Sequence, residues 1–424
     1  MTVGMAIRGV SPLCDIGDIA AAWTLEVLIP RLCLAILFLS ASLLKLTLRY
    51  PIRVYVGSHP IMRNIVRRCP SFQKDYRPPS WACGAWAQAI VYLYRSWRNK
   101  HLRGFAREVL QLPDGESVSL FYMAPPGPMR EALMQCKEDG REEEMGATIQ
   151  ALATSMPPDD PPPPIVVICH GVFQTAADLY EFCTFLTETC GYIACVFNRR
   201  GNDMPLSRAR FNTVGDQCDF RFILSRMRDF FPNNCFYGVG ISAGSSLLAR
   251  YLGDAGEESE LEGGVLISGG YDMELSLQHM TPLADLVVTT HAKSFFLERN
   301  EETLKKEDGP GLQRLKRSRS MQEFHEHLHI FDGKASREEY FQTHNPALVL
   351  GKIARPVVYI NAYDDMCFPG HFTFQFKKLV EECQLATVLH VEKGGHGTFY
   401  ENWDAGSSRA FQCVREFVDC LQKG

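Results

Sequence analysis

The sequence predicts an α/β fold in which a mostly parallel central sheet is flanked by helices. Short, continuous apolar runs are typical of strands buried on both faces, and the chain has such runs at residues 165–169, 235–239, 264–268, 356–361 and 387–391. A helical pattern follows the second run after a sharp turn, at 246–252. The length of 424 residues, with 46% hydrophobic residues, suffices for one such domain with a cap.

The N-terminal segment, residues 1–50, is predicted to be a membrane anchor. Residues 32–44 are uncharged and mostly apolar, and a second apolar stretch at 19–30 contains Glu26. This length is borderline for a spanning helix, so an interfacial helix and a cleaved signal stay open as alternatives. Basic residues follow the segment, which places the rest of the chain on the cytosolic side. We expect a single-pass protein of the endoplasmic reticulum or another internal membrane.

Residues 124–164 are expected to form a mobile, proline-rich insertion. The segment combines Ala124-Pro125-Pro126-Gly127-Pro128 with a charged run at 137–144 and four consecutive prolines ending at Pro164. Such composition is typical of surface connections between strands. We assign it no chemistry.

The turn at residues 240–244, Gly-Ile-Ser-Ala-Gly, contains the candidate nucleophile, Ser242. Small residues on both sides allow a strained turn between strand and helix, and the strain exposes the hydroxyl. A serine nucleophile needs a histidine base and a carboxylate that orients it, and in hydrolases with this turn they follow in the order serine, acid, histidine.

The acid and the base are both available downstream. The strand at 356–361 ends in a loop with two adjacent carboxylates, of which Asp365 is our choice and Asp364 the alternate. The strand at 387–391 leads into a glycine-rich loop that places His396 as general base. The oxyanion needs two donors: the N–H of Ala243 is one, and Val172, in the loop after the strand at 165–169, is the preferred second, with Phe173 as its alternate.

The segment 270–349 is predicted to be a helical cap, because the strand pattern stops there and helical patterns replace it. Its aromatic residues Phe295, Phe296, Phe324 and Phe331 would either close an acyl pocket or pack in the core.

The cap segment also contains a possible zinc motif. The sequence from His325 to His329 reads His-Glu-His-Leu-His, in which His325 and His329 would bind zinc and Glu326 would act as base. Asp332 stands where a zinc peptidase of the metzincin type has glycine. We therefore expect solvated cap histidines, with a zinc hydrolase as the minor alternative.

Charge and cysteine content indicate whether the protein binds nucleic acid and whether its thiols are reduced. A net charge of −5 gives no electrostatic case for nucleic-acid binding. The fifteen cysteines contain no Cys-x-x-Cys pair, which favours reduced thiols. We expect Cys169, Cys195 and Cys235, within predicted strands, to be buried.

With these motifs in place, the chain resembles the membrane-anchored branch of the α/β-hydrolase-domain lipases and esterases, which is related to embryogenesis-associated and bacterial esterases. The resemblance runs from about residue 75 to the C-terminus and implies an α/β-hydrolase domain over 75–424. The matching blocks, besides the serine turn, are Arg107-Glu108-Val109-Leu110, Asp114-Gly115, His170-Gly171, Val196-Phe197-Asn198-Arg199-Arg200-Gly201, Gly215-Asp216, Tyr251-Leu252-Gly253, Asp364-Asp365 and Gly394-Gly395-His396.

The family triad falls on Ser242, Asp365 and His396, the residues that the spacing selects. The resemblance implies a lipid-ester substrate, such as an acylglycerol or a phospholipid, and no cofactor or metal. One departure follows His170-Gly171, where the family has a glycine-rich turn and this chain has Val172-Phe173-Gln174-Thr175. Protein partners stay open, and the alternative function is a catalytically silent scaffold of the same fold.

Overall fold

A nine-stranded sheet runs through the centre of the protein in its computed structural model. The structure describes residues 49–99, 104–141, 145–154, 162–212, 214–370, 373–402 and 407–423. The strands of the sheet are β1 Arg53–Val56, β2 Ala106–Gln111, β3 Ser117–Met123, β4 Ile165–Cys169, β5 Ile193–Asn198, β6 Phe236–Ile241, β7 Leu261–Ile267, β8 Val357–Ala362 and β9 Ala386–Val391. A separate pair is formed by β10 Tyr400–Glu401 and β11 Ser407–Ser408.

The sheet is parallel in its centre and antiparallel at its edges. Its spatial order is β1-β9-β8-β7-β6-β4-β5-β3-β2. Strands β5, β4, β6, β7, β8 and β9 pair in parallel, whereas β1, β3 and β2 pair antiparallel with their neighbours. The predicted mostly parallel sheet is therefore confirmed, and all the predicted site residues follow strands of its parallel part.

Helices connect and flank these strands. In chain order the α-helices are α1 Pro60–Arg68, α2 Ala85–Arg98, α3 Pro128–Glu138, α4 Met145–Thr154, α5 Tyr180–Thr184, α6 Cys218–Phe230, α7 Ala243–Ala255, α8 Met273–Gln278, α9 Pro282–Ala292, α10 Glu301–Arg317, α11 Met321–Leu328, α12 Arg337–His344, α13 Thr373–Glu382 and α14 Arg409–Gln422.

The central strands are apolar along their whole length because both of their faces are covered. In β4, Ile165 and Val167 belong to the core on one face of the sheet, and Val166 and Ile168 belong to the core on the other face. All four side chains are fully buried. This two-sided burial explains why the sequence shows continuous runs rather than the alternation of a half-exposed strand.

The segment 124–164 differs from the mobile insertion that its composition predicts. It contains α3 and α4, and Leu133, Cys136 and Met145 of these helices are buried in the core beside the sheet. Leu133 and Cys136 are three residues apart, which puts them on one face of α3. The many prolines and charges of the segment therefore do not prevent this packing.

The segment 270–349 is helical and has an apolar core of its own. Helices α8 to α12 lie within it, and the buried side chains of the region include Leu304, Leu312, Leu315, Phe324 and Phe331. Phe296 packs against this cluster. The region thus has the helical structure expected of a cap inserted between β7 and β8.

The predicted membrane anchor, residues 1–50, lies almost entirely outside the described residues, which begin at Arg49. In the described ranges, no helix combines the length and the apolar character needed to cross a bilayer.

The prediction of free, buried thiols is confirmed for two of the three candidate cysteines. All cysteines that the structure describes are free, and Cys169 and Cys195 are buried. Cys235 is exposed, which corrects our prediction. It precedes β6, at the end of the sheet where the chain enters the strand, so it lacks the cover of the strand interior.

Gly244 offers a test of how the sheet and α7 pack. A β-carbon at this position would lie 1.8 Å from the carbonyl oxygen of Cys169. We expect Gly244→Ala to destabilise the fold by about 3 kcal/mol or more, because backbone must move, and to lower the melting temperature by roughly 5 °C or more. Calorimetry checks this. Gly309→Ala is the control, since its nearest neighbour is 4.0 Å away; equal shifts in both variants would contradict the packing argument.

Candidate active site

Ser242 lies at the sharp turn between β6 and α7, as the motif predicts. Its backbone has φ 54° and ψ −119°, a conformation that costs a non-glycine residue about 1–3 kcal/mol. The Ser242 N–H donates to the carbonyl of Ile267 at 2.9 Å, which helps to hold the turn. A β-carbon on Gly240 would lie 2.6 Å from the carbonyl oxygen of Gly244, so the strand and the helix meet too closely for larger residues.

His396 connects the serine to the acid. Its Nε2 lies 2.9 Å from the Oγ of Ser242, and its Nδ1 lies 2.9 Å and 3.0 Å from the two carboxylate oxygens of Asp365. The neighbouring Gly395 and Gly397 both have positive φ, 64° and 73°, which glycine adopts without strain. The glycine-rich loop therefore brings the imidazole to the serine across 154 residues of sequence.

The two adjacent carboxylates have different partners. Asp365 is buried and faces His396, and its Oδ1 also accepts from the N–H groups of Cys367 at 2.8 Å and Phe368 at 3.0 Å. Asp364 instead accepts from the N–H groups of Gly394 and Gly395, at 2.9 and 3.0 Å. The preferred candidate thus contacts the imidazole, and the alternate holds the backbone of the loop that bears it.

The charge of Asp365 sets the protonation of the histidine. Burial alone would lower the pKa of His396, but the neighbouring carboxylate outweighs burial and holds this pKa well above its ordinary value. The Asp365–Nδ1 contact also places the proton on Nδ1, which leaves Nε2 facing the serine hydroxyl as an acceptor when the ring is neutral. The arrangement suits proton transfer from Ser242.

The loop after β4 lies directly against the serine. A β-carbon on Gly171 would lie 3.4 Å from the Cβ of Ser242, so Val172 follows a residue in contact with the site. In the described part of the chain, the N–H groups of Val172 and Ala243 donate no hydrogen bond. The alternate, Phe173, packs its ring on His291 at 4.7 Å. Val172 and Ala243 stay the predicted oxyanion donors, with Phe173 still the alternate to Val172.

Hydrogen bonds that the sequence does not reveal fix this loop. The side chain of Gln174 accepts from the N–H of Gly171 at 2.8 Å and donates to the hydroxyl of Tyr92 at 2.7 Å. Asn202 donates to the Gln174 carbonyl at 3.0 Å and to the Nε2 of His170 at 2.8 Å. Burial lowers the pKa of His170 to about 4, so this ring is a neutral structural partner.

A small cavity lies between the cap and the loop after β4, which we name the oxyanion loop. Its lining is mostly apolar and includes two of the four aromatic residues proposed for an acyl pocket, Phe296 and Phe324. The other lining residues are Val172, Arg199, Phe211, Asn212, Val214, Ala292, Met321, His325 and Leu328. An apolar cavity with few polar groups suits an acyl chain.

The zinc motif of the cap is not assembled as a metal site. His325 is buried, with its Nδ1 2.7 Å from the hydroxyl of Tyr340, and burial lowers its pKa to about 4. The Nδ1 of His329 lies 2.9 Å from the backbone carbonyl of Glu326. The burial of His325 corrects the expectation of solvated cap histidines, because Tyr340, fifteen residues away, supplies a buried partner.

A different group of residues has the spacing of metal ligands. Within the described ranges, Asp365, Cys367 and His396 are the one group of three whose ligand atoms lie within 4.8 Å of one another. Two of the three are already hydrogen-bonded to each other in line with Ser242. We therefore interpret the group as part of the serine site.

The parallel sheet, the strained serine turn and the order serine, acid, histidine define an α/β-hydrolase. No model of a protein family matches the chain. It is similar to phospholipase ABHD3 of Bos taurus, with 22% identity over 379 residues that cover 87% of this chain and 84% of the relative. It is also similar to monoacylglycerol lipase ABHD2 of Mus musculus, with 23% identity over 373 residues that cover 83% and 80%.

Among solved structures, an esterase of Pyrococcus furiosus is similar with 13% identity and a TM-score of 0.43, over 74% of this chain and 90% of that one. The topology described above is that of the α/β-hydrolase fold, and the two sequence relatives are lipases by name.

The protonation of His396 predicts the pH dependence of hydrolysis. His396 accepts a proton only when neutral, so activity falls as pH decreases through its raised pKa. Asp365→Asn removes the charge that raises this pKa. We expect the acidic limb of kcat/KM to move to lower pH, and kcat to fall on the order of 10³–10⁴-fold because the favoured tautomer is lost. Rates measured from pH 5 to 9 check both effects.

The matched control is Asp364→Asn, since Asp364 does not contact the imidazole. We expect this variant to keep the acidic limb near its wild-type position. If Asp364→Asn moved the limb and Asp365→Asn did not, the assignment of the acid would be wrong.

Proposed function

We propose that the chain is a serine hydrolase that cleaves the carboxylic esters of lipids. The observation that supports this most directly is the unbroken hydrogen-bonded line from Ser242 through His396 to Asp365. In this proposal Ser242 is the nucleophile, His396 the general base and Asp365 the residue that orients the base.

The reaction passes through an acyl-enzyme. Ser242 Oγ attacks the ester carbonyl while His396 Nε2 takes its proton, and the N–H groups of Val172 and Ala243 stabilise the oxyanion. The tetrahedral intermediate expels the alcohol, which receives the proton from His396. Water then attacks the acyl-enzyme with His396 as base and releases the fatty acid. Another alcohol in place of water would give acyl transfer with the same residues.

Two observations favour a lipid ester over a small one. The cavity next to Val172 has a mostly apolar lining, as a pocket for an acyl chain would have. The two relatives are named as a phospholipase and a monoacylglycerol lipase. An acylglycerol or a phospholipid is accordingly the proposed substrate class, and no step of the reaction requires a cofactor.

We also propose that residues 1–50 anchor the chain in an internal membrane, with the hydrolase domain in the cytosol. The proposal rests on the apolar stretch at 32–44 and the basic residues that follow it.

Labelling with a fluorophosphonate probe tests the nucleophile. We expect wild-type protein to be labelled and Ser242→Ala and His396→Ala to lose labelling by about 100-fold or more, because the probe needs an activated serine. The control is Ser294→Ala, an exposed cap serine bonded to Glu298, which should label like wild type. Folding of each variant is checked by circular dichroism. No labelling of folded wild type would instead favour the silent scaffold.

Protease protection tests the anchor. In sealed microsomes that contain the full chain, added protease should digest the hydrolase domain without detergent, because the positive flank keeps that domain outside the lumen. Cleavage that required detergent would place the domain in the lumen. Release of the intact domain by carbonate would show that the chain has no spanning segment.

A further inference from the structure

Helix α2 turns its apolar face to the solvent. Five large side chains are 45% to 67% exposed: Trp86, Ile90, Leu93, Tyr94 and Trp97. At 100° per residue they fall within an arc of about 100° and so form one stripe. Gln88, a polar residue, is completely buried. Monomeric soluble proteins rarely expose an apolar stripe of this kind, so the face requires a partner.

Buried hydrogen bonds hold α2 in this orientation. The side-chain oxygen of Gln88 accepts from the hydroxyl of Thr398 at 2.9 Å and from the N–H of Tyr400 at 3.1 Å. Its amide nitrogen donates to the hydroxyl of Tyr76 at 3.2 Å. Rotation of the helix about its axis would break these buried bonds, each worth about 1 kcal/mol, and leave their groups unsatisfied. The apolar stripe is therefore a fixed part of the surface.

Helix α9 of the cap repeats the arrangement. Leu283, Leu286 and Val287, at positions i, i+3 and i+4, are 52% to 60% exposed and share one face. The acidic residue of this helix, Asp285, points inward, where it accepts from the N–H of Met321 at 2.7 Å and from the hydroxyl of Thr289 at 3.1 Å. As in α2, a polar side chain makes inward hydrogen bonds while the apolar side chains face the solvent.

Both helices are held against the loops that form the active site. For α2, the Cα of Ala85 is 3.3 Å from where a β-carbon on Gly395 would lie, and the hydroxyl of Tyr92 binds Gln174 of the oxyanion loop.

For α9, Thr281 donates to the carbonyl of Met366, next to the catalytic acid, at 2.8 Å. At its other end His291 packs on Phe173. The two helices thus both lie next to the loops that surround Ser242.

The chemistry of these faces fits a lipid bilayer. Tryptophan and tyrosine, which make up three of the five exposed apolar residues of α2, favour the boundary between headgroups and acyl chains. Helix α2 contains no acidic residue, and it ends with the exposed Arg98, which suits anionic headgroups. If the partner were a protein, we would instead expect polar groups around the apolar centre of the contact.

We propose that the outer faces of α2 and α9 dock the hydrolase domain on a bilayer, so that the site takes its ester from the membrane. This contact is separate from the proposed N-terminal anchor. The delivery of an ester from the membrane to Ser242 rests on the proposed lipid-ester hydrolysis. The docking itself does not depend on activity. The exposed faces would enter the headgroup region and leave the loops around Ser242 open to lipid.

The first test compares two esters in the full-length protein reconstituted into vesicles with phosphatidylserine. One ester is a lipid in the bilayer and the other is soluble p-nitrophenyl butyrate. We expect the double variant Ile90→Gln, Leu93→Gln to lower the ratio of bilayer to soluble turnover about tenfold, since two large apolar contacts are lost. Leu348→Gln is the matched control, because Leu348 is also 57% exposed and its ratio should not change.

The outcomes separate the two proposals. An unchanged ratio in the double variant, with both esters cleaved, would overturn the docking and leave the hydrolase intact. If wild-type protein cleaved neither ester, the proposed function would fail, and the second test would decide the docking by itself.

The second test uses tryptophan fluorescence in vesicles that contain brominated phosphatidylcholine. Trp86 and Trp97 lie on the docking face, so Trp86→Phe, Trp97→Phe should lose a component that the bromine atoms quench in wild type. If that component were present but not quenched, the face would not enter the bilayer, and the bilayer proposal would be wrong. Light scattering of the detergent-solubilised protein would identify a second copy.

Discussion

The close approach of Gly244 to the carbonyl oxygen of Cys169 is the constraint on which the site depends. It brings the first turn of α7 against the end of β4, so the nucleophile and the oxyanion loop, which begins at His170, emerge side by side from adjacent parallel strands. The strained backbone of Ser242 is possible because its neighbours are held from several sides. The hydroxyl of Ser245, for example, donates to the carbonyls of both Gly240 and Ile267.

The order of the chain within the sheet explains which parts of this site could be predicted. Ser242, Asp365 and His396 each follow a buried apolar run, and the C-terminal ends of parallel strands meet at one edge. Local patterns were therefore enough to select three residues that the structure brings together. The sheet itself was predictable for the same reason, because two-sided burial leaves a continuous apolar run in the sequence.

The features that were missed depend on partners far apart in the sequence. Gln174 and Tyr92 are 82 residues apart, and no local sequence pattern predicts their contact. His325 lies in a polar stretch that suggests exposure, yet the hydroxyl of Tyr340 makes its burial possible. In the insertion, prolines and charges hid a short helix whose inward positions, Leu133 and Cys136, were few enough to be overlooked.

Asp364 and Asp365 have different partners, and this limits how the loop after β8 can vary among related chains. One carboxylate meets the imidazole, and the other meets the backbone that presents it. Adding or removing one residue before the pair would shift both carboxylates by one position, so at most one of the two partners would still face a carboxylate. The number of residues between β8 and the pair is thus constrained more tightly than the identity of most of them, so related chains should tolerate substitutions there but not insertions or deletions.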